Sequence, residues 1–207
     1  MIHYVIPARR NSKEFPFKNR KLIKDFNIEL LKQCSVYSDD EYLEKFCLDN
    51  NVVFVSRPEE VSTDTCSTKK TISRYVKDNN LAYDDTVILL YLTYPERSDI
   101  EVRKALDFFI ENKGKSLLCR KKCLKTPYLM AFTEEGNTGR QVIQHNLYRK
   151  QDYPEVFEIS HYICIFKVSE LSNLNDNLYN DKTLFYPISE VIDVDYERDY
   201  EHYKNNS

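Results

Sequence analysis

Apolar residues in this chain fall into short continuous runs and helical stripes, separated by polar turns. The first run, residues 2–6 (IHYVI), is closed by Pro7 and predicts a buried first strand. A polar loop over 8–20 follows. Residues 30–37 then predict a second strand ending in Ser38-Asp39-Asp40, a capping sequence for a helix over 40–50 with Leu43, Phe46 and Cys47 on one face. Residues 52–55 (VVFV) predict a third strand, and 67–79 a helix with Ile72, Tyr75 and Val76 inward. The most apolar stretch, 86–92 (TVILLYL), predicts a central parallel strand because it is apolar on both faces. A helix is expected over 99–112, with Ile100, Val102, Ala105, Leu106, Phe109 and Ile110 as its apolar positions, and a strand over 116–119.

This alternation implies one open, mostly parallel α/β sheet with right-handed crossovers and helices on both faces. Residues 120–160 break the rhythm with polar residues and turn signals (EEGNTG), and read as an inserted arm or hairpin. The pattern returns with a strand over 162–166 (YICIF) and a helix or loop over 170–178. A last strand is expected over 184–194 and a terminal helix over 197–204.

At 207 residues and 42% hydrophobic content, a single domain spanning 1–207 is expected. The net charge of −3 gives no case for nucleic acid as a partner. No stretch reaches the ~20 apolar residues of a membrane span, and no secretory signal is evident. The six cysteines form no C-x-x-C pair and read as reduced, mostly buried thiols of a cytoplasmic protein. Cys119 and Cys123 with His145 or His161 lack the spacing of a zinc site.

Ligands of open α/β sheets bind beyond the carboxyl ends of the strands, and four clusters fall there. The first is a basic loop containing Arg9, Arg10, Lys13, Lys18 and Arg20, whose cations suit a triphosphate and equally suit a solvated loop. The second is Arg57-Pro58 with Asp64, and the third is Thr93 to Arg97. The fourth is Asp193-Val194-Asp195, whose carboxylates project to one side of an extended segment. They could hold Mg²⁺ together with phosphate oxygens, or cap the terminal helix.

Taken in order, these segments resemble the acylneuraminate cytidylyltransferases. IPARRNSKEFPFKN is similar to that family's opening I-P-A-R-S-G-S-K-G-x-P-x-K-N, matching at Arg9, Ser12, Lys13, Pro16, Lys18 and Asn19. Ser38-Asp39-Asp40 resembles its S-T-D-D, and Arg57-Pro58-Glu59-Glu60 with Ser62 to Thr65 resembles R-P-x-x-L-S-x-D-T. LLYLTYPER resembles L-L-Q-P-T-S-P-L-R at Thr93, Pro95 and Arg97. Leu124-Lys125-Thr126 resembles the start of a dimerisation arm, and Arg149-Lys150-Gln151-Asp152-Tyr153-Pro154 its return. Ile192 to Asp195 resembles a metal-binding I-D-I-D, with Asp199 as the following Asp.

The resemblance implies a Rossmann-like fold, a homodimer, and transfer of CMP from CTP to the anomeric hydroxyl of an acidic 2-keto sugar. It implies nucleotide contacts from Arg9, Ser12, Lys18, Asn19, Arg57 and Thr68, and Mg²⁺ on Asp193 and Asp195. Arg9, Lys18 and Asp195 would be catalytic. Tyr91, Thr93, Lys125, Lys150, Gln151 and His161 would meet the sugar, with the two lysines crossing the dimer. Against the family pattern, Asn11 and Glu14 replace two loop glycines, and Tyr91 replaces a ligand-contacting Gln. Ser160-His161-Tyr162 replaces Asn-Gly-Ala, making His161 either a sugar contact or a pocket filler. The stretch from Asn19 to Ser38 is short, which predicts a remodelled first crossover and sheet edge. A nucleotidyltransferase for another acceptor and a catalytically silent nucleotide-binding scaffold are the alternative readings.

Overall fold

A computed structural model describes residues 1–123, 125–133 and 135–206, so Leu124 of the arm segment lies outside the described residues. In chain order the main elements are β1 (Ile2–Ala8), α1 (Lys18–Leu22), α2 (Ile28–Leu31), β2 (Cys34–Ser38), α3 (Glu41–Asp49) and β3 (Val53–Ser56). There follow α4 (Thr68–Asp78), β4 (Thr86–Leu89), α5 (Asp99–Glu111), β5 (Ser116–Lys122), β6 (Ala131–Thr133), β7 (Gly139–Gln141), β8 (Phe157–Lys167), β9 (Leu184–Pro187) and α6 (Glu197–Asn206). Seven strands form one sheet in the order β3-β2-β1-β4-β8-β5-β9. Every pairing is parallel except those of β8, which runs antiparallel to both β4 and β5. The 86–92 run is therefore central as expected, but parallel only toward β1.

Apolar clusters cover both faces. One joins Ile6, Val36, Ile88 and Ile163 to Leu22, Leu31, Leu43, Val102 and Phe109. The other joins Val5, Val87, Leu89 and Cys164 to Ile72, Tyr75 and Leu171. Helix starts follow the capping chemistry. Asp40 accepts from the Tyr42 N–H at 3.0 Å, Ser67 accepts from the Lys70 N–H at 3.3 Å, and Ser98 with Glu101 forms a capping box. Asp40 also receives Arg20 at 2.8 and 2.9 Å, which ties the basic loop to the start of α3.

The predicted strand over 30–37 is a helical turn followed by a shorter strand. The Asn27 side chain accepts from the N–H groups of Glu29 and Leu30, both at 3.0 Å, and so starts α2. Leu30 and Leu31 are both fully buried, and a short apolar run of this kind carries no period that separates a buried helix from a buried strand. The short crossover leaves the sheet edge intact. Helices α1 and α2 bridge β1 and β2, and the parallel order β3-β2-β1 is kept.

Three further expectations change. Tyr91 and Leu92 leave the sheet because the chain turns there, with the Tyr91 carbonyl taken by the Arg97 guanidinium at 3.1 Å. Ile100 and Ile110 are 64% and 58% exposed, so the inward stripe of α5 is narrower than its apolar content. The expected strand over 184–194 stops at Pro187. Segment 120–160 is an excursion as expected, but β5 and β8 extend into it and it carries the β6–β7 hairpin.

Cys34, Cys47, Cys119 and Cys164 are buried free thiols, while Cys66 and Cys123 are partly accessible. Burial pushes Cys34 and Cys119 up to about 12 and Cys47 to about 11. A thiol-alkylating reagent at neutral pH should label Cys66 and Cys123 quickly, the other four reacting only after denaturation. Rapid native labelling of Cys34 or Cys119 would contradict this packing.

Candidate active site

Beyond the carboxyl ends of β1 and β4 lies a cleft of about 320 Å³ walled by Lys18, Thr68, Tyr91, Thr93, Tyr94, His161, Asp176, Asn177, Leu178, Asp193 and Asp195. A second recess of about 270 Å³ shares Lys18, Thr68, Tyr91 and Thr93 with it and adds Arg9, Asn19, Arg57 and Asp64. The shared wall makes one continuous groove, basic at one end and acidic along one side.

The basic end is organised by its loop. Buried Phe15 packs against Tyr200 with ring centroids 5.7 Å apart, anchoring the loop to the core. Asn19 donates to the Arg9 carbonyl at 2.9 Å, closing the loop on itself. Phe17, at φ 58°, takes the left-handed turn immediately before Lys18. Asn11 and Glu14 do not have positive φ, so replacing the two glycines costs no left-handed strain. Glu14 is exposed, and neither it nor Ser12 lines the groove.

Across the groove Asp64 pairs with both Arg9 and Lys13, the latter at 2.6 Å. These contacts, Lys13 first, hold the Asp64 carboxyl below its ordinary value. Arg57 is buried, with burial lowering its pKa. Its guanidinium donates to the Val61 carbonyl at 2.9 Å and to the Thr71 hydroxyl at 3.1 Å. It therefore braces the 57–71 segment while lining the basic end of the groove.

The acidic side comes from a loop rather than a strand end. Val194 is fully buried and its N–H donates to the Thr93 carbonyl at 2.8 Å, which leaves the flanking Asp193 and Asp195 to wall the groove. Neither caps α6: Asp199 does so, accepting from the N–H groups of Asp195 at 3.1 Å and Tyr196 at 2.8 Å. Lys18 reaches over from the basic loop to Asp195 at 2.8 Å. Asp193 accepts the Tyr94 hydroxyl at 2.7 Å. Desolvation raises its carboxyl above the ordinary value; Tyr94 opposes this, Asp195 adds to it, and Thr93 and Lys18 oppose it.

The remaining wall is aromatic. Tyr91 and His161 meet edge-to-face at 6.2 Å, and Tyr94 and Tyr162 do so at 5.4 Å. Desolvation raises the phenols of Tyr91, Tyr94 and Tyr162. Substitutions that look separate in the sequence are thus coupled in pairs on the two faces of β8. His161 Nε2 lies 3.0 Å from the Asn177 carbonyl, which makes it the donor there and ties the 175–179 turn to the groove. His161 is thus a wall residue whose ring nitrogen holds the rim.

Lys125 and Lys150 also share a cavity, of about 930 Å³, but it belongs to the arm and has no residue in common with the groove. Gln151 is exposed beside it on a 3₁₀ turn. One chain therefore brings Arg9, Lys18, Asn19, Arg57, Thr68, Tyr91, Thr93, His161, Asp193 and Asp195 together, and keeps Lys125, Lys150 and Gln151 apart. The sequence cluster Thr93 to Arg97 takes in Tyr94 without giving it a role, and the rim residues 176–178 are not among the predicted site residues. The mismatch of Tyr94 within the LLYLTYPER segment is a further mark on that position.

No known protein-family profile matches the chain. It is 24% identical over 216 residues to an N-acylneuraminate cytidylyltransferase of Streptococcus agalactiae, across 96% of this chain and 51% of that protein. The chain thus spans about half the length of that curated relative. It is 26% identical over 213 residues to post-translational flagellin modification protein B of Campylobacter coli, across 94% of this chain and 90% of that one. Its fold is that of a solved CMP:2-keto-3-deoxy-manno-octonic acid synthetase complexed with CTP, with TM-score 0.71, 12% identity and 99% and 97% coverage of the two chains. A 4-diphosphocytidyl-2C-methyl-D-erythritol synthase of Anaerococcus prevotii superposes with TM-score 0.63 at 14% identity, with the same 99% and 97% coverage. Coverage of nearly the whole of this chain, the ordered segments and a groove built from them make the chain similar to the acylneuraminate cytidylyltransferases, at 24–26% identity.

Proposed function

We propose that the chain transfers CMP from CTP to the anomeric hydroxyl of an acidic 2-keto sugar, releasing pyrophosphate. The observation that carries this reading is Lys18 facing Asp195, with Asp193 beside it, across one groove. A cation suited to phosphate and a carboxylate pair suited to a divalent metal then flank the same space. The donor set fits Mg²⁺, a hard cation that takes one or two carboxylates and fills its remaining positions with water and phosphate oxygens. Among the described residues no cluster of three or more His, Cys, Asp or Glu could hold a metal ion by itself. Mg²⁺ held by Asp193 and Asp195 would supply neutralisation of phosphate charge.

The triphosphate would take the basic end, exchanging its oxygens for the Asp64 carboxylate on Arg9 and Lys13. The acceptor hydroxyl attacks the α-phosphorus, the bond to the pyrophosphate oxygen breaks, and the hydroxyl proton is lost to solvent. Phosphoryl chemistry of this kind asks the protein chiefly for alignment and charge compensation. Lys18 compensates the negative charge on the α-phosphate, and Tyr91 with His161 bounds the acceptor.

The groove's acceptor end carries Asp176 and, among the described lining residues, no cation besides Lys18. An acidic acceptor would therefore draw on Lys125 and Lys150 of a second copy. Exposed Leu129, Phe132 and Tyr148 on the arm support such a homodimer. Among the described residues no helix is long and apolar enough to cross a membrane, and the free thiols suit a cytoplasmic setting.

The test is pyrophosphate release with ATP, CTP, GTP and UTP, each with Mg²⁺ and a panel of 2-keto acid sugars. CTP with at least one acidic sugar should give release. No release with any pair, alongside intact nucleotide binding, would contradict the enzyme and favour a scaffold.

A further inference from the structure

Behind Asp193 lies a buried polar and aromatic network to which the proposed reaction gives no role. Its centre is Arg97, 1% exposed, whose Nε and one terminal nitrogen have no hydrogen-bond partner. A guanidinium keeps its charge in proteins, and burying one without partners is costly. Here the charge is met by aromatic faces instead: Tyr162 at 5.0 Å, Tyr94 at 5.4 Å and Phe26 at 5.6 Å from the guanidinium carbon. Its remaining terminal nitrogen holds the Tyr91 carbonyl at 3.1 Å.

The two tyrosines carry this arrangement outward in opposite directions. Tyr162 donates to Glu101 at 2.7 Å, and Glu101 belongs to the capping box that starts α5. Tyr94 donates to Asp193 at 2.7 Å, with Ser160 as a second partner of its hydroxyl. A phenol whose ring is packed by Tyr162 and Arg97 cannot swing away from that carboxylate. One Asp193 oxygen is thereby held by Tyr94.

We propose that Tyr94 is a positioning residue that orients Asp193 for a divalent cation, with Arg97 and Tyr162 fixing its ring. This rests on the reading of Asp193 and Asp195 as the metal carboxylates. Partners that orient a ligating carboxylate typically contribute 10–100-fold in metal affinity or activity. Tyr94→Phe removes the hydroxyl and keeps the ring against Arg97 and Tyr162, so the fold should survive.

The experiment is titration of Mn²⁺ into the protein–CTP complex, followed by electron paramagnetic resonance, for wild type, Tyr94→Phe, Asp193→Asn and the double variant. CTP affinity without metal and the melting temperature are measured alongside. Tyr94→Phe should weaken Mn²⁺ binding about 10-fold while leaving metal-free CTP binding unchanged, and should add nothing once Asp193 is Asn. Unchanged Mn²⁺ affinity, or an equal loss in the Asp193→Asn background, overturns the role of Tyr94 while leaving the carboxylate reading intact. If wild type binds Mn²⁺ no better than Asp193→Asn, the carboxylate reading and the role of Tyr94 fail together.

Discussion

Asp195→Ala should lower Mg²⁺-dependent pyrophosphate release by about 10²–10³-fold, the usual cost of losing one element of a charge-stabilising site. The protein should remain folded. The Asp195 side chain is 57% exposed, and its only described charge partner is Lys18. Its backbone N–H, which anchors to Asp199, is untouched by the substitution. Val194 still pins the loop to Thr93, so Asp193 stays in place. Higher Mg²⁺ should recover part of the activity, because one carboxylate and the phosphate oxygens remain as ligands. Steady-state rates across a Mg²⁺ series check this, and an unchanged rate would refute the metal role of Asp195.

Lys18→Met should cost a similar factor, about 10²–10³-fold, with a different signature. Methionine keeps most of the apolar stem and removes the ammonium that faces Asp195. The lost ion pair contributes at most ~1 kcal/mol to stability, since one partner is largely in water. The defect should therefore sit in the rate and not in the melting temperature. Asp195 loses a competing cation, so the Mg²⁺ requirement should stay the same or become lower, the reverse of Asp195→Ala. A raised Mg²⁺ requirement in Lys18→Met would show that Lys18 acts by arranging the carboxylates and not by meeting phosphate.

The parts of the fold legible in the sequence were those with an internal signal. Helices α4 and α5 carry both a helical stripe and a capping residue, and β1 is an apolar run stopped by proline. The 30–37 run offered no such signal, and its cap Asn27 lay before the stretch read as a strand. The antiparallel course of β8 was not legible, because connection length does not settle direction and an apolar pentapeptide carries no mark of it. Arg9, Lys18, Asp193 and Asp195 were legible because each sits in a short local motif. Coupling between distant positions was not. Tyr94 and Tyr162 are far apart in the chain, and only the β4–β8 pairing brings their rings together. The rim at 176–178 meets the groove at the His161–Asn177 hydrogen bond and through buried Leu178, which no local pattern announces.

The central claim is that this groove moves CMP, and CTP labelled at the α-phosphate follows that group directly. With Mg²⁺ and an acidic 2-keto sugar, the label should appear in a sugar-bound product that requires the acceptor and is lost in Asp195→Ala. Label that stays in CTP, or that appears as free CMP whether or not the sugar is present, would contradict the account.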